Sequence, residues 1–187
     1  MKVRSSFVSN SSSSSFVLSF KEKPRSAKHL LKMLFQQKTI PETITAPWSK
    51  AEVATSRIAK AILKGCSKID ENTLVNIVYS PCLENFDSLQ VPHKPEMEAF
   101  VSWIDRDTNR AEFDLAYKDW LTVAESYRAQ ILDEYTTWCK DKGNEYWIKG
   151  EFGDNGPGGG SADPTNEHVV EKLLSISEYP YLKDSNH

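Results

Sequence analysis

Apolar positions in the first twenty residues alternate, and further along they shift to a helical spacing. In Ser15-Phe16-Val17-Leu18-Ser19-Phe20 large side chains fall on alternating faces, which predicts a β-strand. Residues 3–8 offer a partner strand, with 9–14 as either a loop or an extension of it. After Pro24, Ser26 is placed to cap a helix over 27–37, where Leu30, Leu31, Leu34 and Phe35 form one apolar face. Ser49-Lys50-Ala51-Glu52 has the spacing of a capping box. It predicts a second helix that turns Val53, Ile58, Ala61 and Ile62 inward and stops at Gly65. The stretch 73–79 fits either strand or helix, its β-branched content leaning toward strand.

Met97, Phe100, Val101 and Ile104 suggest a helix over 96–104. The strongest periodicity runs from 108 to 142. There Phe113, Ala116, Tyr117, Trp120, Ala124, Tyr127, Ile131, Tyr135 and Trp138 recur at steps of three and four, and Gly143 is the natural stop. A helix of that length reaches about 50 Å, long enough to break or to project. Residues 144–152 alternate as a strand, and 153–164 hold five glycines, which makes a loop. Asp163 with Pro164 predicts the start of a short helix bearing His168, Val169, Val170, Leu173 and Leu174. A last strand is expected over 176–182.

These elements imply an α+β fold in one domain spanning 1–187. A small antiparallel sheet is built from both termini, 1–40 and 144–187, and the middle, 41–143, is a helical insertion with one long helix. The length of 187 residues suits one core. No run of about 18 apolar residues exists, which argues against a membrane span. Met1-Lys2-Val3-Arg4 is followed by serines where a signal peptide needs an apolar run, so a cytoplasmic location is expected. Three cysteines, Cys66, Cys82 and Cys139, without a C-x-x-C pair, fit reduced thiols better than disulfides or zinc. Charge changes the picture more. Residues 1–40 hold eight Lys/Arg and one acid, Glu22, a local +7 that leaves −10 for the rest of a chain whose total is −3. Either the basic front packs on an acidic back or it attracts an anion.

Candidate chemistry is sparse. The glycine-rich loop has neither phosphate-loop pattern. Imidazoles serve near neutrality as acids, bases or metal ligands. His29 and His93 read as surface residues. His168 and Glu171, three apart on a helix, share a face, and with Asp154 and His187 they make a mixed N/O set suited to a divalent metal. The serine run admits three roles: packing or recognition; anion binding by Ser11, Ser12 and Ser13 with Arg4 and Lys21; or nucleophilic catalysis by Ser11 or Ser13 with His168, His187 and Asp154. Five consecutive serines suggest a disordered linker by composition, but Phe7-Val8 and Phe16-Val17-Leu18 bracket them and predict order. The aromatic positions Tyr117, Trp120, Tyr127, Tyr135 and Trp138 are a partner-binding face or a core face.

The segment Arg4-x-x-Phe7-Val8-Ser9-Asn10-Ser11-Ser12-Ser13-Ser14-Ser15-Phe16 resembles the start of small uncharacterised proteins of tailed bacteriophages and bacteria. Residues 153–168 and Ser185-Asn186-His187 look similar to the ends of several of them. The resemblance implies phage or prophage origin and that the two chain ends belong together. It carries no reaction. The expected function is an accessory protein that binds and regulates a host or virion protein, in the host cytoplasm or carried in the virion, with oligomers open. The alternative is a hydrolase or phosphoryl-transfer enzyme using the serines, Asp154 and the histidines, with or without a divalent metal. Binding of nucleic acid through the basic front is the weakest reading, given the acidic total.

Overall fold

A computed structural model describes residues 13–47, 51–75, 81–84, 109–153 and 163–186. Residues 1–12, the candidate helix at 96–104, Ser49, His93, the glycine-rich loop with Asp154, and His187 lie outside them.

The hydrophobic alternation at the front forms β1 (Ser13–Phe20). The other strands are β2 (Thr43–Thr45), β3 (Glu52–Ala54), β4 (Cys66–Ile69), β5 (Pro81–Glu84), β6 (Tyr146–Gly153) and β7 (Tyr181–Asn186). The helices are α1 (Ala27–Phe35), α2 (Thr55–Gly65), α3 (Glu71–Val75), α4 (Arg110–Lys142) and α5 (Glu167–Ser177). The main sheet has the order β4-β6-β1-β7-β5, antiparallel at every step, and β2 and β3 make a separate hairpin. The two chain ends thus supply the three central strands, as expected of an α+β fold with a terminal sheet. Strand β1 pairs along its whole length with β6, Phe16 facing Gly150, and on its other side with β7, Phe16 facing Lys183. The middle segment also gives the sheet both its edges, so it is not wholly helical.

Because successive side chains of β1 point to opposite faces, it feeds two cores. Phe16, Leu18 and Phe20 pack with α1, α2 and α5 through Leu30, Leu34, Ile58, Ile62, Val170 and Leu173. Val17 faces the other way, with Leu182, Trp147 and the C-terminal part of α4 through Ile131, Tyr135 and Cys139. The sheet is therefore the middle of three layers. Each fully buried Leu, Ile or Phe contributes about 1.5–3 kcal/mol, and these side chains are at most 2% exposed.

Local rules explain most boundaries. Ser26 caps α1 by accepting the His29 amide at 3.1 Å. Gly143, at φ 66°, ends α4: its amide and that of Asn144 donate to Lys140 and Cys139 carbonyls at 3.0 and 2.8 Å, closing the last turn. Three expectations are corrected. Glu52 does not cap a helix; it lies in β3 and accepts the Thr43 hydroxyl, and Val53 is buried opposite Ile44 in the hairpin, so α2 begins only at Thr55. Asp163 does not cap α5. Its carboxylate is taken by Thr165 within a turn, at 2.8 Å from the amide and 2.7 Å from the hydroxyl, and Asn166 caps the helix instead. Residues 176–177 are not strand, because the apolar face of Val170, Leu173 and Leu174 extends the helix through Ser177 and delays β7 to Tyr181. Of the ambiguous 73–79 stretch, residues 73–75 belong to α3 and 76–80 lie outside the described residues.

Candidate functional site

The described serines of the tract are held in the sheet. Ser14 and Ser15 are 1% and 5% exposed in the central strand. Ser14 stands between Phe152 and Ser185, and Ser15 between Glu151 and Asp184. A nucleophile must be reachable by substrate, and these two hydroxyls are not. Ser11, Ser12 and Arg4 lie outside the described residues, as does the side chain of Ser13. Lys21 follows the far end of β1, eight residues from Ser13 and thus about 26 Å along an extended strand. That separation corrects the grouping of Lys21 with the serines around one small anion.

His168 and Glu171 do share a face of α5, and the structure adds two residues to them. Lys183 of β7 reaches Glu171 Oε1 at 2.7 Å. His168 Nδ1 is 4.0 Å from Glu171 Oε2, and its Nε2 is 3.5 Å from Glu167 Oε1. The two ring nitrogens thus face two different carboxylates. Among the described residues no group of three or more His, Cys, Asp or Glu is placed to hold a metal ion. Asp154 and His187, the other members of the expected set, lie outside the described residues. Glu167 is 2% exposed and was missed by the sequence reading. Its position three residues before Val170 and seven before Leu174 places it on the apolar face, a signal that periodicity alone supplies. Lys183 is legible only once the register of β7 is known.

The aromatic positions of α4 divide sharply. Tyr135 is fully buried and carries no surface, so its place in a partner-binding face is corrected; its hydroxyl donates to the Val17 carbonyl at 3.3 Å and to Ser19 Oγ at 3.4 Å. Trp138 stacks on Tyr135 at 5.6 Å and meets Tyr179 edge-on at 5.7 Å. Tyr127 and Trp120 are half-buried, and Tyr117 is exposed.

Around the inner end lies a buried polar network. Ser19 Oγ and Cys139 Sγ are 3.0 Å apart. The Asn144 amide donates to Ser19 Oγ at 3.1 Å and to its carbonyl at 3.2 Å, and the Tyr179 hydroxyl donates to the same carbonyl at 2.6 Å. Burial pushes the Cys139 thiol up to about 12, holds the Tyr135 hydroxyl well above its ordinary value, and raises that of Tyr179. Cys139 is therefore a neutral thiol that joins sheet to helix, without the thiolate character a reactive cysteine needs. No family model, curated protein or solved structure matches this chain.

Proposed function

We propose that this chain is an accessory protein of phage or prophage origin that binds a host or virion protein through the outer part of α4. The carrying observation is how little of that helix is buried. α4 runs for 33 residues, about 50 Å, yet its buried residues are Ile131, Tyr135 and Cys139, all in the C-terminal half. Toward the N-terminus, Leu115 is 61% exposed, Val123 43%, Tyr117 38% and Leu121 37%. Phe113, Tyr117 and Trp120 stack in sequence at 6.3 and 5.7 Å, which fixes their rings in advance of any contact. Rigid aromatic surface is what protein interfaces are enriched in. Burial removes Ser14 and Ser15 as nucleophiles, and the enzyme reading then rests on Ser11 or Ser13. Action in the host cytoplasm or from within the virion accords with the absence, among the described residues, of any helix long and apolar enough to cross a membrane.

A photo-crosslinking residue at position 121 tests the proposal, with the same residue at Lys60 on α2 as control. In cells that make the chain during infection, position 121 is expected to give one discrete adduct that disappears when Tyr117 and Leu115 are changed to serine. No adduct, or the same adducts from both positions, counts against the proposal. An adduct with a second copy of the chain makes the partner the protein itself.

A further inference from the structure

Where β1 runs out, the chain turns into α1 beside the C-terminal end of α4, and a cleft of about 460 Å³ opens between them. That volume falls within the range of small-molecule sites, about 300–1,000 Å³. One side of the cleft is apolar. Trp138 and Met33 are half-buried there, and the stacked pair Phe20 and Tyr179, 5.5 Å apart, lies behind them.

The other side carries charge, and the balance is positive. Glu22 is the acid of the cleft, and it is already answered locally: Arg25 reaches its Oε2 at 2.6 Å, and His29 Nε2 lies 3.8 Å from its Oε1. The Arg25 amide donates to His29 Nδ1 at 3.2 Å, which leaves Nε2 as the proton-bearing nitrogen of the neutral ring. Lys21 and Lys142 also line the cleft and have no ion pair among the described residues. Two lysines in surplus over an apolar wall suit a ligand with a flat apolar body and a negative head. Gln36, at the lip, is the residue that ends α1, at φ 51° and ψ −108°, with its amide donating to the Lys32 carbonyl at 2.9 Å.

We infer that this cleft is a binding site for a small aromatic or heteroaromatic anion. The ring lies against Trp138 and Met33, and its carboxylate or phosphate is held by Lys21 and Lys142. The site stands apart from the outer half of α4 and does not depend on it.

Calorimetric titration of the full chain tests the inference with 2-naphthoate and adenosine 5′-monophosphate as ring anions. The uncharged counterparts 2-naphthylmethanol and adenosine, and ring-free acetate and inorganic phosphate, are the comparisons. At least one ring anion is expected to bind saturably at one site, and which of the two does so separates carboxylate from phosphate. Its uncharged counterpart and its ring-free anion are each expected to bind about tenfold more weakly or worse, the loss of one charge-assisted contact or of the stacked ring. Lys21→Met with Lys142→Met is expected to weaken the ring anion by about tenfold or more, while Lys23→Met with Lys64→Met leaves it unchanged. All four are exposed lysines whose loss does not threaten folding. The inference is overturned by no saturable binding of either ring anion, by equal binding of the uncharged or ring-free compounds, or by an unchanged affinity in the first double variant.

Discussion

The two ends of α4 share one sequence pattern and have opposite fates. Aromatic and aliphatic residues recur at steps of three and four from Phe113 to Trp138 without a break. At the inner end the stripe meets β1, β6 and β7, and Ile131, Tyr135 and Cys139 are fully buried. At the outer end Tyr117, on the same stripe, is 38% exposed. Helical periodicity therefore predicts that a helix forms and which side is apolar, but it does not predict what covers that side. The inner end is also chemically different. Beneath Tyr135 the sheet presents Ser19, and Ser19, Cys139, Asn144, Tyr135 and Tyr179 satisfy one another's polar atoms in a water-poor space. A polar network of that kind fixes the angle of the helix on the sheet more tightly than apolar packing alone.

The largest expected effect comes from removing the same aromatic residue at each end. Tyr135→Ala empties a fully enclosed ring site that is also in edge contact with Trp147 at 5.7 Å. It should lower the unfolding free energy by about 3–5 kcal/mol, as large-to-small changes in a packed core do. Tyr117→Ala should change it by no more than about 0.5 kcal/mol. Urea unfolding of the two variants beside the parent measures the gap. A Tyr117→Ala loss approaching that of Tyr135→Ala would erase the distinction between the two ends.

A smaller effect belongs to the inner end and to alkaline pH. Burial raises the Cys139 thiol from its ordinary 9.0 to about 12, and Cys66, half-buried against α2 and β6, likewise to about 12. A native pKa above the unfolded one means that the unfolded chain gives up its proton first. The stabilising contribution is complete below pH 9 and is lost as pH rises from there through about 12. The urea midpoint should hold steady from neutrality to pH 9 and then fall, and Cys139→Ala should flatten part of that fall while costing some stability at neutral pH. Native Cys139 should also resist iodoacetamide at neutral pH until urea unfolds the chain. Rapid alkylation of native Cys139 would show that the inner end opens as readily as the outer one.

Much of this architecture was legible because local chemistry and tertiary packing agree. The alternation in β1, the Ser26 cap, the Gly143 stop and the α4 periodicity each survive into the structure. The pairing of both chain ends in one sheet was expected from their resemblance, and β1 does lie between β6 and β7. Readings failed where a longer-range contact outweighed a local signal. Glu52 has the spacing of a capping residue, but Val53 gains more from burial against Ile44 in a hairpin. The edge strands β4 and β5 are short, four residues each, and carry no alternation strong enough to identify them. At the candidate site, His168 and Glu171 follow from helical spacing, whereas Lys183 and the cleft beside His29 depend on how separate elements meet. No spacing rule reaches across 100 residues of chain to bring Trp138 beside Met33.

The smallest expected effect is also the sharpest test of the outer end. Leu115→Gln with Leu121→Gln replaces two exposed leucines by a residue of nearly the same helix propensity. If the outer half of α4 is held only by its own backbone and by continuity with the packed inner half, the double variant should unfold within about 0.5 kcal/mol of the parent. Its helical circular dichroism should be unchanged. Amide exchange supplies the finer scale. Amides near Ile131 to Cys139 should exchange only through opening close to global unfolding, and those from Phe113 to Val123 through cheaper local fraying. A double variant that loses more than about 1 kcal/mol, or an outer half protected as strongly as the inner, would mean that Leu115 and Leu121 are packed in solution. The contrast between the two ends would then belong to the sequence pattern alone and not to the folded protein.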